Sequence, residues 1–258
     1  MGNTGTGTWH YGLMARWWAE FNVAEPHELA YFRTAIKQFG EPVLDLGCGT
    51  GRILLPLLEE GFDIDGLDVS ADMIAHAQEL ASRKGLKPRL SVQAMHELDT
   101  GRTYRSVYIC GALGIGAQRD DDRQTLRRVH QVLAPSGALL ITDHEPPFGP
   151  DSRIPAEWPA SGQRRRAANG DEIELISRLA EIDAAENRLT LEIRARLWRE
   201  GKLVTEEQHS LSENLYTVPE MLTMLQGAGF SDVTVTANYA DRPATADDAM
   251  VSFVARKR

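Results

Sequence analysis

The stretch VLDLGCGTGR, Val43–Arg52, joins an apolar run to an acid, Asp45, and then to Gly47, Gly49 and Gly51 alternating with small residues. Glycines in such a turn expose bare backbone, so a ligand can lie directly against the main chain. Asp68 follows at the distance, about 20 residues, where a nucleotide-binding loop needs a carboxylate for a ribose. A second group of reactive residues falls in TDHEPP. His144 titrates near pH 6.5 when unperturbed, which suits taking a proton from a hydroxyl or ammonium, and Glu145 beside it can steer an amine. Tyr216, in ENLYTVPEM, is the third candidate for the lining of a reaction pocket. His76 and His130 fall within amphipathic helical stretches and His209 within an exposed-looking strand, so these three are weaker candidates.

Two familiar ligands fit the glycine turn poorly. A dinucleotide fingerprint, G-x-G-x-x-G/A, would put its third small residue at Arg52, whose long side chain would keep strand and helix apart. A phosphate-cradling P-loop needs a lysine after the glycines, and none follows.

The elements that must position these residues alternate. WHYGLMARWWAEFN and PHELAYFRTAIKQFG read as helices, with Leu29, Phe32, Ile36 and Phe39 at helical spacing and Gly40 as a stop. PVLDLG, DIDGLDVS, RLSVQA, SVYICGALGI and ALLITDHE read as strands. Helices fall at GRILLPLLEEG, ADMIAHAQELASRKG and DDRQTLRRVHQVLAPSG, the second capped by Ser70 and ended by Gly85. Strands alternating with helices imply βαβ units and a parallel sheet covered on both faces.

After Pro146 the pattern changes to a proline-rich connection and then to NRLTLEIRARLW, whose alternation marks a half-buried antiparallel strand. DEIELISRLAEID and KLVTEEQHSLSE are its expected partners, giving a three-stranded insertion. Its apolar face must be buried, which predicts a lid over the acceptor, a seam with a second copy of the chain, or both. Arg164–Arg166, in a Pro/Gly/Ala-rich stretch, reads as a solvated loop, with contact to an acidic substrate or partner as the alternative. Helix TVPEMLTMLQGAGF and strands SDVTVTANY and DAMVSFVARKR close the chain.

Composition sets the outer limits. The chain has 258 residues, 25% of them charged, and a net charge of −9, which opposes a nucleic-acid-tracking surface. Its two cysteines, Cys48 and Cys110, form no metal-binding spacing, so no metal is expected and a reducing cytoplasm fits. No apolar run reaches the roughly 20 residues that span a membrane. The polar start, MGNTGTGT, reads as a disordered tail rather than a signal peptide.

VLDLGCGTGR resembles motif I of the class I S-adenosylmethionine-dependent methyltransferases, and GLDVSADMI resembles their motif II; VLAPSGALLI and AGFSDVTV extend the likeness. The resemblance implies a single α/β domain with a seven-stranded, mostly parallel, Rossmann-like sheet and helices on both faces. Residues 9–40 would be N-terminal helices, 41–150 the cofactor-binding core, 151–216 an antiparallel lid insertion between strand 5 and the last helix, and 217–258 the C-terminal helix and two strands. It implies S-adenosylmethionine as cofactor, S-adenosylhomocysteine as product, and methyl transfer to O, N or C of a small molecule. In that setting Gly47, Gly49 and Gly51 offer slim backbone, with Cys48 a small filler among them. Asp45 would face the cofactor's ammonium and Asp68 its ribose. Val69 and Met73 would flank adenine, Gln93, Ala94 and Met95 would follow the third strand beside it, and Cys110 to Leu113 would underlie the methionine portion. Tyr11 would close over the carboxylate end. Two rival readings are a cofactor-binding module without transfer activity and a nicotinamide-dependent oxidoreductase.

Overall fold

The computed structural model describes residues 10–116, 118–144, 155–245 and 248–258. The expected tail, residues 1–8, lies outside them. Helices α1 (Gly12–Phe21) and α2 (Pro26–Phe39) come first. Pro26 opens α2, Glu25 and Glu28 exchange capping hydrogen bonds, and Gly40 ends it at φ +98°. The alternating segment then runs β1 (Val43–Leu46), α3 (Leu54–Glu59), β2 (Ile64–Asp68), α4 (Ala71–Arg83), β3 (Arg89–Val92), β4 (Tyr104–Cys110), α5 (Arg119–Val132) and β5 (Leu133–His144). After it come β6 (Gln163–Arg166), β7 (Glu172–Asp183), β8 (Arg188–Arg199), β9 (Lys202–Asn214), α6 (Val218–Gly227), β10 (Asp232–Ala237) and β11 (Met250–Arg256).

Seven strands form the central sheet in the order β10-β11-β5-β4-β1-β2-β3, with only β11 running against its neighbours. This is the mostly parallel α/β sheet that the alternation predicts. All four residues of β1 are buried, as a central strand covered on both faces requires. Leu44, Leu46, Val107, Ile109, Leu139 and Ile141 pack in one of the two large apolar clusters, each side chain contributing about 1.5–3 kcal/mol by burial. From β1 the chain builds outward through β2 and β3, then crosses to β4 and β5 on the other side. The crevice at the carboxyl ends of β1 and β4 is therefore the switch point where such sheets bind ligands.

The insertion corrects two expectations. It has four strands, in the order β6-β7-β8-β9, because Arg164–Arg166 is an edge strand paired with Glu172–Glu174 rather than a loop. The guanidiniums supply what an apolar strand would otherwise need: Arg164 lies over Trp198, and Arg165 over Trp17 and Phe21. The apolar face of this sheet is met by α1 of the same chain, where Leu13 and Trp17 pack on Ile173, Ala195 and Leu197. Leu13 also donates its amide to Glu207, and Arg16 pairs with Asp171. On its other side α1 is tied to α4, where Gly12 donates to Asp72 and the Ser70 hydroxyl donates to the His10 carbonyl. α1 thus bolts the insertion to the sheet that carries the glycine turn. His209, expected to be exposed, is 1% accessible and packs on Tyr11, with ring centroids 4.6 Å apart and planes tilted by 54°.

Candidate functional site

Gly47, Gly49 and Gly51 have φ of +77°, +53° and +80°, the left-handed conformation that residues with a Cβ rarely adopt. The amides of Gly47 and Cys48 both donate to the Leu67 carbonyl, at 2.8 and 3.0 Å, which turns the chain sharply across the end of β2. A Cβ at Gly47 would stand 2.7 Å from Met95 Cε and 2.8 Å from Ala112 Cβ, whereas one at Gly49 would meet nothing closer than Met73 Cε at 4.0 Å. Gly49 therefore faces open space, and Gly47 keeps two walls close together. Gly51 does a different job: a Cβ there would strike Leu55, so it serves the entry to α3.

Asp68 ends β2 at the rim of this turn. Its Oδ2 accepts from Gly49 N at 2.9 Å and its Oδ1 from Ser70 N at 2.8 Å. Burial pushes its carboxyl up, and those two amides oppose the shift. Each oxygen accepts one amide and keeps a further lone pair for a hydroxyl. Ser70 also caps α4 by accepting from Met73 N, so one turn fixes both the acid and the apolar Met73 behind it.

A cleft of about 1150 Å³ runs along this edge of the sheet. Gly47, Cys48, Gly49, Asp68, Val69, Met73, Gln93, Ala94, Met95 and Cys110 are all in its wall. Val69 is 36% accessible and Val92 is 55%, so two large apolar side chains stand uncovered where a flat ring would pack. Val92 was not among the sequence candidates; its signal is an apolar residue closing a strand at the same level as Asp68, its register partner. Gln93 accepts from Asp99 N at 3.3 Å through its side-chain carbonyl, so that oxygen is already engaged.

Other sequence candidates lie off the wall. Asp45 is 3% accessible and sits beneath the turn, accepting from Tyr108 Oη at 2.9 Å. Burial raises its pKa to about 7, with the Tyr108 hydrogen bond and Arg52 opposing the rise. Leu113 is buried in the apolar cluster. Tyr11 packs on His209 at the start of α1; its neighbour His10 takes the place on the wall. Burial, with His209 adding to it, lowers the His10 pKa to about 4. Tyr216 is 3% accessible and its hydroxyl donates to Asp122 at 2.5 Å, which makes it a supporting residue rather than a lining one. His144 is the last residue of β5, paired in register with Met250, and Glu145 lies outside the described residues.

Beyond the glycine turn, the far half of the cleft is assembled from distant parts of the chain. Arg52 Nη1 donates to Glu28 Oε2 at 2.7 Å and Nη2 to Cys110 Sγ at 3.2 Å. Tyr239 Oη donates to Glu28 Oε1 at 2.8 Å and stands 3.2 Å from Cys110 Sγ, which also accepts from Thr142 at 3.3 Å. Burial works to raise the Glu28 carboxyl, but hydrogen bonds from Arg52, Glu25 N and Tyr239, with the Arg52 charge, hold it below its usual value. Also in the cleft wall, Asp122 accepts from Gly114 N, Asn214 Nδ2 and Tyr216 Oη, binding α5 to the β4–α5 loop and to the end of β9. Gly116 N donates to Ser212 O and Asn214 N to Gly114 O, so the insertion is stitched to the loop that edges the cleft. Sequence reasoning missed Glu28, Arg52 and Tyr239 because 24 and 211 residues separate Glu28 from its two partners. The oversized Arg52 in the turn was the one available signal. Among the described residues no group of three or more His, Cys, Asp or Glu is arranged to hold a metal, and no helix is long and apolar enough to cross a membrane.

Residues 43–137 match a family model described as a methyltransferase domain. A protein of Geobacillus sp. (strain WCH70), named provisionally as a methyltransferase, is 27% identical over 96% of this chain and 99% of its own length. Among solved structures, an S-adenosylmethionine-dependent methyltransferase from Clostridium acetobutylicum superposes with a TM-score of 0.74 at 16% identity, covering 92% of this chain and 93% of that one. A sugar N-methyltransferase from Streptoalloteichus sp. gives 0.72 at 19% identity, covering 100% and 98%. These two likenesses show the shared fold.

Proposed function

We propose that this chain, a class I S-adenosylmethionine-dependent methyltransferase, moves a methyl group from that cofactor to O, N or C of a small-molecule metabolite. The observation that carries the reading is the pairing of the slim turn at Gly47–Gly49 with the Asp68 carboxylate in one cleft. The donor set fits the cofactor. Asp68 keeps a lone pair on each oxygen for the ribose hydroxyls, Val69, Met73 and Val92 offer apolar surface for adenine, and a Cβ at Gly47 would close the turn.

Bound there, the cofactor supplies an activated methyl on a sulfonium, so the protein needs chiefly to align an acceptor and receive one proton. At about 1150 Å³ the cleft exceeds the usual range of roughly 300–1,000 Å³ for one small ligand, which supports cofactor and acceptor side by side. The net charge of −9 favours a small acceptor over a nucleic acid, and two unpaired thiols favour a cytoplasmic setting. No second copy is needed to cover the apolar face of the insertion, since α1 lies on it.

Isothermal calorimetry with S-adenosylhomocysteine tests the first half of the proposal, with binding expected at micromolar concentrations. Release of that product in the presence of a panel of hydroxyl, amine and activated-carbon acceptors tests the second. No heat at high micromolar ligand would overturn the reading.

A further inference from the structure

The cleft has a direction. Along the carboxyl edge of the sheet, Asp68 ends β2, the glycine turn follows β1, Cys110 ends β4 and Thr142 lies near the end of β5. On the proposed function, the adenosine lies over β2 and β3, so the sulfonium end points across β1 toward β4. Four groups meet there: Cys110, Tyr239, Glu28 and Arg52.

Glu28 does more than cap its helix. The capping bond from Glu25 N, at 2.9 Å, goes to Oε2, which also receives Arg52. Its other oxygen, Oε1, is turned to the Tyr239 hydroxyl. Tyr239 is itself held in an unusual way, with φ +52°, its amide donating to Ser252 Oγ at 3.2 Å, and its ring edge-on to His27, Tyr31 and Phe32. A tyrosine in the left-handed region persists only where its surroundings fix it, and such residues gather at functional sites. Both Glu28 and Tyr239 are in the cleft wall.

We infer that Tyr239 and Glu28 seat the acceptor at the methyl end of the cleft and take its proton, the acceptor being a molecule whose nucleophilic atom is a proton-bearing O or N. The lone pair of that atom forms the new bond to the methyl carbon while the carbon–sulfur bond breaks and its electron pair stays on sulfur. The proton left on the acceptor passes to Tyr239 Oη as the phenol's own proton moves to Glu28 Oε1. Arg52 holds Glu28 in place through the other oxygen, as a positioning residue.

The inference rests on the proposed cofactor site, and one pair of ligands separates the two. Sinefungin carries a CH–NH3+ group in place of the sulfonium and its methyl, so its ammonium reports on whatever faces that point; S-adenosylhomocysteine has a bare thioether there. Calorimetry on the wild type is expected to show sinefungin bound about tenfold or more tightly than S-adenosylhomocysteine, the scale of one charge-assisted hydrogen bond. Glu28→Gln should remove most of that preference while leaving S-adenosylhomocysteine affinity within about twofold, because Glu28's hydrogen-bond partners include neither Asp68 nor a glycine of the turn. Tyr239→Phe keeps the ring and should lower the preference by a smaller factor; it carries the test should Glu28→Gln fail to bind either ligand. A preference unchanged in the variants, or absent from the wild type, overturns this inference and leaves the cofactor site standing. A wild type that binds neither ligand overturns the cofactor site itself.

Discussion

The two halves of the cleft are built in opposite ways. The cofactor half is local: Gly47, Gly49 and Asp68 belong to one βαβ unit, and each is placed by backbone hydrogen bonds to its near neighbours. The other half is a meeting of side chains from α2, the α3 entry, β4, β5, the end of β9 and the segment after β10. Backbone geometry makes the first half rigid and stereotyped. The second half is held mainly by side-chain contacts between distant segments, so its lining is set by side-chain identity more than by the backbone of one turn. A scaffold that keeps one ligand constant and varies another has reason to divide its cleft this way.

That division can be broken by substitutions, ordered here by their effect on cofactor affinity. Asp68→Lys replaces the anionic acceptor of two amides, and of the ribose hydroxyls proposed to join them, with a cation that can only donate; it should weaken S-adenosylhomocysteine by about 100-fold or more in calorimetry, the loss of at least two hydrogen bonds to a charged group. Gly47→Ala should cost about tenfold, because its left-handed backbone carries a penalty of roughly 1–2 kcal/mol and the new methyl meets Ala112. Gly61→Ala is its control: φ is +94° but no atom lies within 4 Å of the added carbon, so stability should fall with affinity unchanged.

On the other half, Tyr216→Phe should leave cofactor affinity within about twofold yet lower unfolding free energy by about 1–3 kcal/mol, because Asp122 is left a buried carboxylate short of a donor. Loss of cofactor binding in that variant would mean the halves are coupled.

Asp45→Asn is expected to act chiefly on pH dependence. Burial raises the folded pKa of Asp45 to about 7, above the roughly 3.9 of an unfolded aspartate. Its stabilising contribution is therefore full below about pH 4 and lost as the pH rises through 7. Denaturant titrations at pH 5 and pH 8 should show a smaller difference between the two pH values in the asparagine variant than in the wild type.

The same contrast explains what could be read from the chain. The parallel sheet, the Ser70 cap, the glycine turn and Asp68 were legible because each is encoded by adjacent residues and by short periodicity. The burial of Asp45 beneath the turn was not legible, because its burial partner, Tyr108, is 63 residues away. The β6 strand was hidden because Arg164–Arg166 has no apolar face of its own; Trp198, Trp17 and Phe21 supply one from elsewhere. The cover of the insertion was open to several readings since α1, at the far end of the chain, provides it. Tyr239 carries no local mark at all, and only folding brings it to Glu28 and Cys110.

Crystals grown with S-adenosylhomocysteine give the most direct test of the cofactor half. Density is expected with the ribose hydroxyls on Asp68, adenine between Val69, Met73 and Val92, and the thioether sulfur on the Cys110 side of the glycine turn. Density elsewhere on the molecule, or the ribose turned away from Asp68 in this cleft, would contradict it.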